Sequence, residues 1–402
     1  MHHTRGRGVA PLTVLFLLTI LVPIHLSTAE SAHDWQQDDQ ALCNAVESLA
    51  FNGTFANDSV QYQVELGPRL PGSNVSLNFR EDLKSLLEPA GWNITEVEHH
   101  RHGMNLTNFH ARWASNATVT NGQVVISAHY DSRALADRDL NATNRTLPVP
   151  GANDAASGAA VLIELARHIP AMNLSYDVVL FWNDAEDQGE NYTLGSKAWA
   201  ENLSEAEIEA THAFVLLDMV GDADLQLQNI LPGNDSLKAR VLELGASLGM
   251  VSERTDCNGN PGEDIIQYDV LVPVLDDHVH PHELGIPSID IMDPVYGEYK
   301  QYTFGTYWHT MEDTPDKVSA QSLERVGRLV ELGLRTNAFV GLGDNDVDST
   351  EASGNAPAPT EPNTTAQETS TPSGNPGLAI LAATSLGVVI CAIALLELKG
   401  KP

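Results

Sequence analysis

Five short segments bring ionisable side chains to places where an apolar run has just ended. In Ala128-His129-Tyr130-Asp131, residues two apart share a face of an extended segment, so the Asp131 carboxylate can orient the His129 imidazole. Residues 151–158 (GANDAASG) hold one carboxylate, Asp154, among small residues that let backbone approach closely. The apolar run at 178–182 delivers Asp184, Glu186 and Asp187 in quick succession, and like charges crowded at the end of a buried strand repel unless a cation or proton sits among them. Leu216-Leu217-Asp218 ends another apolar run, and Trp308-His309-Thr310 sets an aromatic-flanked histidine before the last helical pattern.

Taken singly, each segment has a plain structural explanation. Asp154 and Asp218 could be helix caps, the acidic group a solvated turn, and His309 a packed histidine. Together they supply two histidines and several carboxylates from separate elements. That mixed nitrogen and oxygen set suits zinc in a catalytic site with open coordination positions.

Such a set must be held by a frame, and the patterning describes one. Apolar, β-rich runs at 124–127, 178–182, 214–217 and 288–292 alternate with helical patterns at 157–169, 236–248 and 320–339. This order predicts an α/β fold: a single domain with a mostly parallel or mixed central sheet flanked by helices in a three-layer sandwich. In an open α/β sheet the site lies beyond the C-terminal strand ends, where the acids and His129 stand. There is no glycine-rich phosphate loop and no internal repeat.

Lys and Arg number 22 against 54 Asp and Glu, a formal net charge of -32, which disfavours nucleic acid as a partner. Three cysteines, Cys43, Cys257 and Cys391, exclude a disulfide-dense scaffold and a zinc ribbon, and leave a Cys43–Cys257 pair open. The ends look unlike the middle. Residues 1–29 read as a signal peptide, 30–342 as the catalytic domain, and 343–376 as a Thr-, Pro- and acid-rich disordered stalk. Residues 378–396 carry no charge and are long enough for a transmembrane helix, and 397–402, with Lys399 and Lys401, read as a cytoplasmic tail. The expectation is an exported protein at the cell surface with its catalytic domain outside, membrane-anchored through the C-terminal helix. Thirteen Asn-x-Ser/Thr sequons suit a glycosylated exported protein.

The order and spacing of His129-Tyr130-Asp131, residues 151–158, Ala185-Glu186-Asp187, Leu217-Asp218-Met219 and Trp308-His309-Thr310 resemble metallopeptidase family twenty-eight, the secreted zinc aminopeptidases and their glutaminyl cyclase relatives. The resemblance covers roughly residues 66–339 and takes in Gly67-Pro68-Arg69-Leu70-Pro71-Gly72-Ser73 and Leu275-Asp276-Asp277-His278. It implies one zinc held by His129 and Asp218, a second by Asp187 and His309, Asp154 bridging both, and Glu186 as general base. Asp131 would support the catalytic site from behind His129. Many of the family's aminopeptidases carry Glu-Glu where this sequence has Glu186-Asp187. The Ala185-Glu186-Asp187 form, Asp276-Asp277-His278 and Trp308 before His309 resemble the glutaminyl cyclase branch, in which one zinc suffices. There Asp154, Asp187 and His309 would hold it, Glu186 would shuttle a proton, Asp277 would pair with Asp218, and Trp308 would wall the substrate pocket.

The resemblance therefore implies a zinc aminopeptidase acting on the N-termini of peptides or proteins, with two ions. The alternative is a glutaminyl-peptide cyclotransferase that closes N-terminal glutamine with ammonia release, using one ion. A third reading is an inactive receptor or adhesion ectodomain of the same fold.

Overall fold

The computed structural model describes residues 39–117 and 122–342. The protein begins with three helices, α1 (Asp39–Glu47), α2 (Gly53–Leu66) and α3 (Asn74–Leu87), followed by strands β1 (Asn93–Arg101), β2 (Met104–Trp113) and β3 (Gln123–His129). Next come α4 (Ala156–His168), β4 (Asp177–Asn183), the short strands β5 (Asp187–Gln188) and β6 (Asn191–Tyr192), α5 (Leu194–Ala200), α6 (Glu205–Ala210) and β7 (Thr211–Asp218). The last part holds β8 (Leu227–Leu231), α7 (Asp235–Ser247), β9 (Ile266–Pro273), α8 (Val279–Glu283), β10 (Ser288–Met292) and α9 (Ala320–Arg335).

Six strands form the central sheet in the order β1-β2-β4-β3-β7-β10. β4, β3, β7 and β10 run parallel, while β1 and β2 add an antiparallel edge, so the sheet is mixed as expected. Both faces of the parallel strands are covered, which is why they read as continuous apolar runs. Val124, Ile126, Val178, Leu180, Val215 and Leu217 meet the main core shared with α2, α4 and α9. Val125, Phe181, Phe214 and Leu216 join Ile286 on the opposite face, where Trp199 of α5 and Ile208 of α6 pack.

Helix α4 is buried along almost its whole length, and Gly158 is what lets it lie so close to the sheet: a Cβ there would overlap the Leu217 carbonyl of β7. Helix α9 starts where the Ser319 side chain accepts the N–H of Gln321 and Ser322, and it buries Leu323, Val326, Leu329 and Val330. Full burial of each such side chain is worth roughly 1.5–3 kcal/mol.

The β1–β2 hairpin was not foreseen. Its outer strand is largely exposed and polar, and Arg101 pairs with Met104 across a two-residue turn in which His102 and Gly103 both take positive φ. Cys43 and Cys257 are joined by a disulfide, which ties α1 to the loop after α7 across 214 residues of sequence.

One expectation is corrected. Among the described residues no helix is long and apolar enough to cross a membrane. The longest, α9, has 16 residues and carries Glu324, Arg325, Arg328, Glu331 and Arg335, whereas a span needs about 20 predominantly apolar residues. Anchoring at the cell surface through a transmembrane helix is therefore not supported. The run at 378–396, the signal region 1–29, the stalk 343–376 and the tail 397–402 lie outside the described residues.

Candidate active site

Three parallel neighbours in the sheet, β4, β3 and β7, end side by side, and their sequence puts ionisable groups at those ends: His129 closes β3, Asp218 closes β7, and the 184–188 turn leaves β4. Asp154 comes from the loop that opens α4, and His309 from the loop ahead of α9. The turns are tight: Ala185, Met219 and His309 all have positive φ, an uncommon conformation for residues with a Cβ and one that collects at functional sites.

All five candidate ligands converge. His129 Nε2 lies 3.2 Å from Asp154 Oδ1 and 3.3 Å from Asp218 Oδ1. His309 Nε2 lies 3.0 Å from Asp187 Oδ2 and 3.6 Å from Asp154 Oδ2. Two triads result, His129–Asp154–Asp218 and Asp154–Asp187–His309, each with its donor atoms within 4.8 Å of one another. Asp154 belongs to both. Its cradle is built by further contacts: Asp313 accepts the N–H of Asn153 at 2.7 Å and that of Asp154 at 3.3 Å, Tyr296 donates to Asp313 at 2.8 Å, and Asn153 accepts the Gly221 N–H at 2.8 Å. Fully buried Arg69 donates to the carbonyls of Tyr130 and Gly151, at 3.0 and 2.6 Å, tying the β3 end to the same loop.

The residues fit a metal. Asp187 Oδ2 is buried and receives no hydrogen bond among the described residues, yet it faces His309 Nε2 at 3.0 Å. An oxygen and a ring nitrogen so placed can face one cation together, and one imidazole with two carboxylates is a donor set suited to zinc.

Behind this layer, Asp131 accepts the backbone N–H of Glu186 at 3.0 Å and of Asp187 at 3.2 Å, takes the Gln188 amide at 2.8 Å, and lies 3.3 Å from His129 Nδ1. It sits under the site and organises it. Burial would lower the His129 pKa, but hydrogen bonds to Asp131, Asp154 and Asp218 outweigh it and raise that pKa well above the usual value. Burial also holds Asp154 and Glu186 above the ordinary carboxylate range, Glu186 well above it, with Asp187, Asp277 and Asp218 adding repulsion around Glu186.

Asp277, from the loop before α8, accepts a short hydrogen bond from Asn183 at the end of β4, and burial pushes its pKa up to about 7. Its Oδ1 has no partner among the described residues. Trp308 stacks on His309 with ring centroids 3.5 Å apart, and Arg138 lies 5.5 Å over the indole.

The structure thus brings together Glu186, Asp131, Asp277, His129, Asp154, Asp187, Asp218, His309 and Trp308. Sequence reasoning missed Arg133, Asp137 and the role of Asp313. Arg133 pairs closely with Asp187, and Asp137 lies 3.6 Å from His309 Nδ1. The available signal was the pair of charges four residues apart directly after His129-Tyr130-Asp131.

The sequence profile of peptidase family M28 matches residues 108–332. The protein belongs to peptidase family M28. It is 28% identical over 210 residues to aminopeptidase YwaD of Bacillus subtilis, a match covering 52% of this protein and 39% of that one. It spans less than two thirds of the length of the curated relatives it matches. Among solved structures, a Zn-dependent exopeptidase from Parabacteroides distasonis is 25% identical with a TM-score of 0.60, covering 72% of this protein and 99% of that one. Porphyromonas gingivalis glutaminyl cyclase is 28% identical with a TM-score of 0.58, covering 70% and 96%. This M28 protein is an enzyme, and the inactive-ectodomain reading is set aside. Family membership implies zinc as its metal.

Proposed function

We propose that this M28 enzyme acts on the free N-terminal residue of peptides, and that its reaction is ring closure of N-terminal glutamine with release of ammonia. The observation that carries the reading is the buried group of acids Glu186, Asp218 and Asp277, in which Asp277 Oδ1 has no partner among the described residues. A substrate with an ordinary side chain leaves that oxygen without use, whereas a glutamine side chain brings amide N–H groups that need an acceptor. Likeness to a glutaminyl cyclase along 96% of that protein's length supports it.

Asp154, Asp187 and His309 would hold the zinc, which when bound supplies a Lewis acid to polarise the carbonyl of the glutamine carboxamide. Glu186 takes a proton from the α-amine as its nitrogen bonds to the carboxamide carbon, then hands that proton to the departing ammonia as the bond from that carbon to the amide nitrogen breaks. Burial makes Glu186 hold a proton more firmly than an exposed carboxylate does. Trp308, stacked on His309, offers a flat wall for the forming ring, and Asp131 keeps the Glu186 and Asp187 backbone in place.

A second reading, hydrolysis of the N-terminal residue, is favoured by Asp154 facing both triads, since a bridging carboxylate suits two ions. Metal analysis with a panel of Gln-initiated peptides and aminoacyl amides separates the two. One zinc per molecule and loss of ammonia from the Gln peptide support ring closure, while two zincs and release of a free amino acid overturn it.

A further inference from the structure

The arm at residues 133–139 braces one side of the site, and Arg133 is its centre. Its guanidinium makes a close pair with Asp187 Oδ1, and Nη1 also reaches the Tyr192 hydroxyl at 3.1 Å. Nε and Nη2 grip Asp137 at 3.0 and 3.1 Å. Asp137 in turn is the carboxylate 3.6 Å from His309 Nδ1, and the Arg138 N–H donates to the His309 carbonyl at 3.2 Å. One buried cation therefore touches Asp187 directly and is one residue removed from His309. The β5–β6 hairpin, where Asp187 pairs with Tyr192, brings the tyrosine to the same point.

The guanidinium occupies Oδ1 of Asp187, leaving Oδ2 as the oxygen that faces His309 Nε2. A free carboxylate would rotate about its last bond and offer either oxygen or both. We infer that Arg133 is a positioning residue for the metal triad: it fixes Asp187 as a one-oxygen ligand. The inference rests on the reading of Asp187 and His309 as zinc ligands, and adds to it a residue that touches neither metal nor substrate.

Zinc affinity by chelator competition and the visible spectrum of the cobalt(II)-substituted protein test it, with the melting temperature of each metal-free form recorded alongside. Arg133→Met is expected to weaken zinc binding by about 10–100-fold and change the cobalt spectrum. Arg133→Lys keeps one charge but loses the fork that spans two carboxylates, and should recover part of the affinity. If Arg133→Met does not fold, Arg133→Lys against wild type carries the measurement, with weaker zinc binding expected. In an Asp187→Asn background, replacing Arg133 should cost nothing further, because its action passes through Asp187. Unchanged affinity and spectrum in both Arg133 variants, or an equal loss with and without Asp187, overturns the inference. Failure of the wild type to bind zinc at all would instead overturn the ligand assignment itself.

Discussion

Asp131 accepts the Glu186 backbone N–H at 3.0 Å through the same Oδ1 atom that lies 3.3 Å from His129 Nδ1. One buried carboxylate thereby ties the end of β3 to the turn carrying Glu186 and Asp187. Replacing it with Asn puts an amide donor among groups that are themselves donors. Asp131→Asn is expected to lower kcat/KM by about 10–100-fold and to weaken zinc retention. Steady-state kinetics and zinc content on the folded variant check this.

Glu186 is assigned a proton, not a metal. Glu186→Gln should reduce kcat by about 10²–10⁴-fold while zinc content and melting temperature stay at wild-type values. If turnover survives, the assigned role is wrong.

Asp293 gives a prediction about stability and pH. Burial raises its pKa to about 7, from an ordinary 3.8, even though it accepts the N–H of Gln226 and Val295. The folded state thus binds more protons than the unfolded state between about pH 4 and pH 7, so this group makes stability fall as pH rises through that window. Three units correspond to about 4 kcal/mol at most. Urea unfolding at pH 5 and pH 8 should show the wild type losing more stability than Asp293→Asn as pH rises, and equal losses would count against the assignment.

The Cys43–Cys257 bridge closes a long loop. Cys43→Ser is expected to cost about 2–5 kcal/mol of stability, read as a lower urea midpoint, with little change in kcat at low temperature.

Much of the site was legible because its acids break a rule that the strands otherwise obey. His129 and Asp218 end apolar, doubly covered strands, and Asp187 sits in the turn that leaves another, so their placement at one sheet edge follows from an α/β pattern. Arg133, Asp137 and Asp313 were not legible in the same way. They contact residues 54, 172 and 160 positions away, namely Asp187, His309 and Asn153, and although the charge pair Arg133 and Asp137 stands out locally, no local pattern reports where it meets the site. The β1–β2 edge escaped because exposed, charged strands such as 93–101 lack the apolar run that marks the inner ones. The Cys43–Cys257 pair stayed open for the same reason as Arg133: the partners meet only once α1 and the loop after α7 are in place.

Ring closure of N-terminal glutamine through Glu186 has a readout that no other proposed activity shares. A Gln-initiated peptide is followed by mass spectrometry and ammonia assay with zinc-loaded wild type and with Glu186→Gln. One ammonia lost per peptide, with no free amino acid, is expected for the wild type, and almost none for the variant. Release of free glutamine and a peptide shortened by one residue would show that the enzyme cuts a bond and does not close a ring.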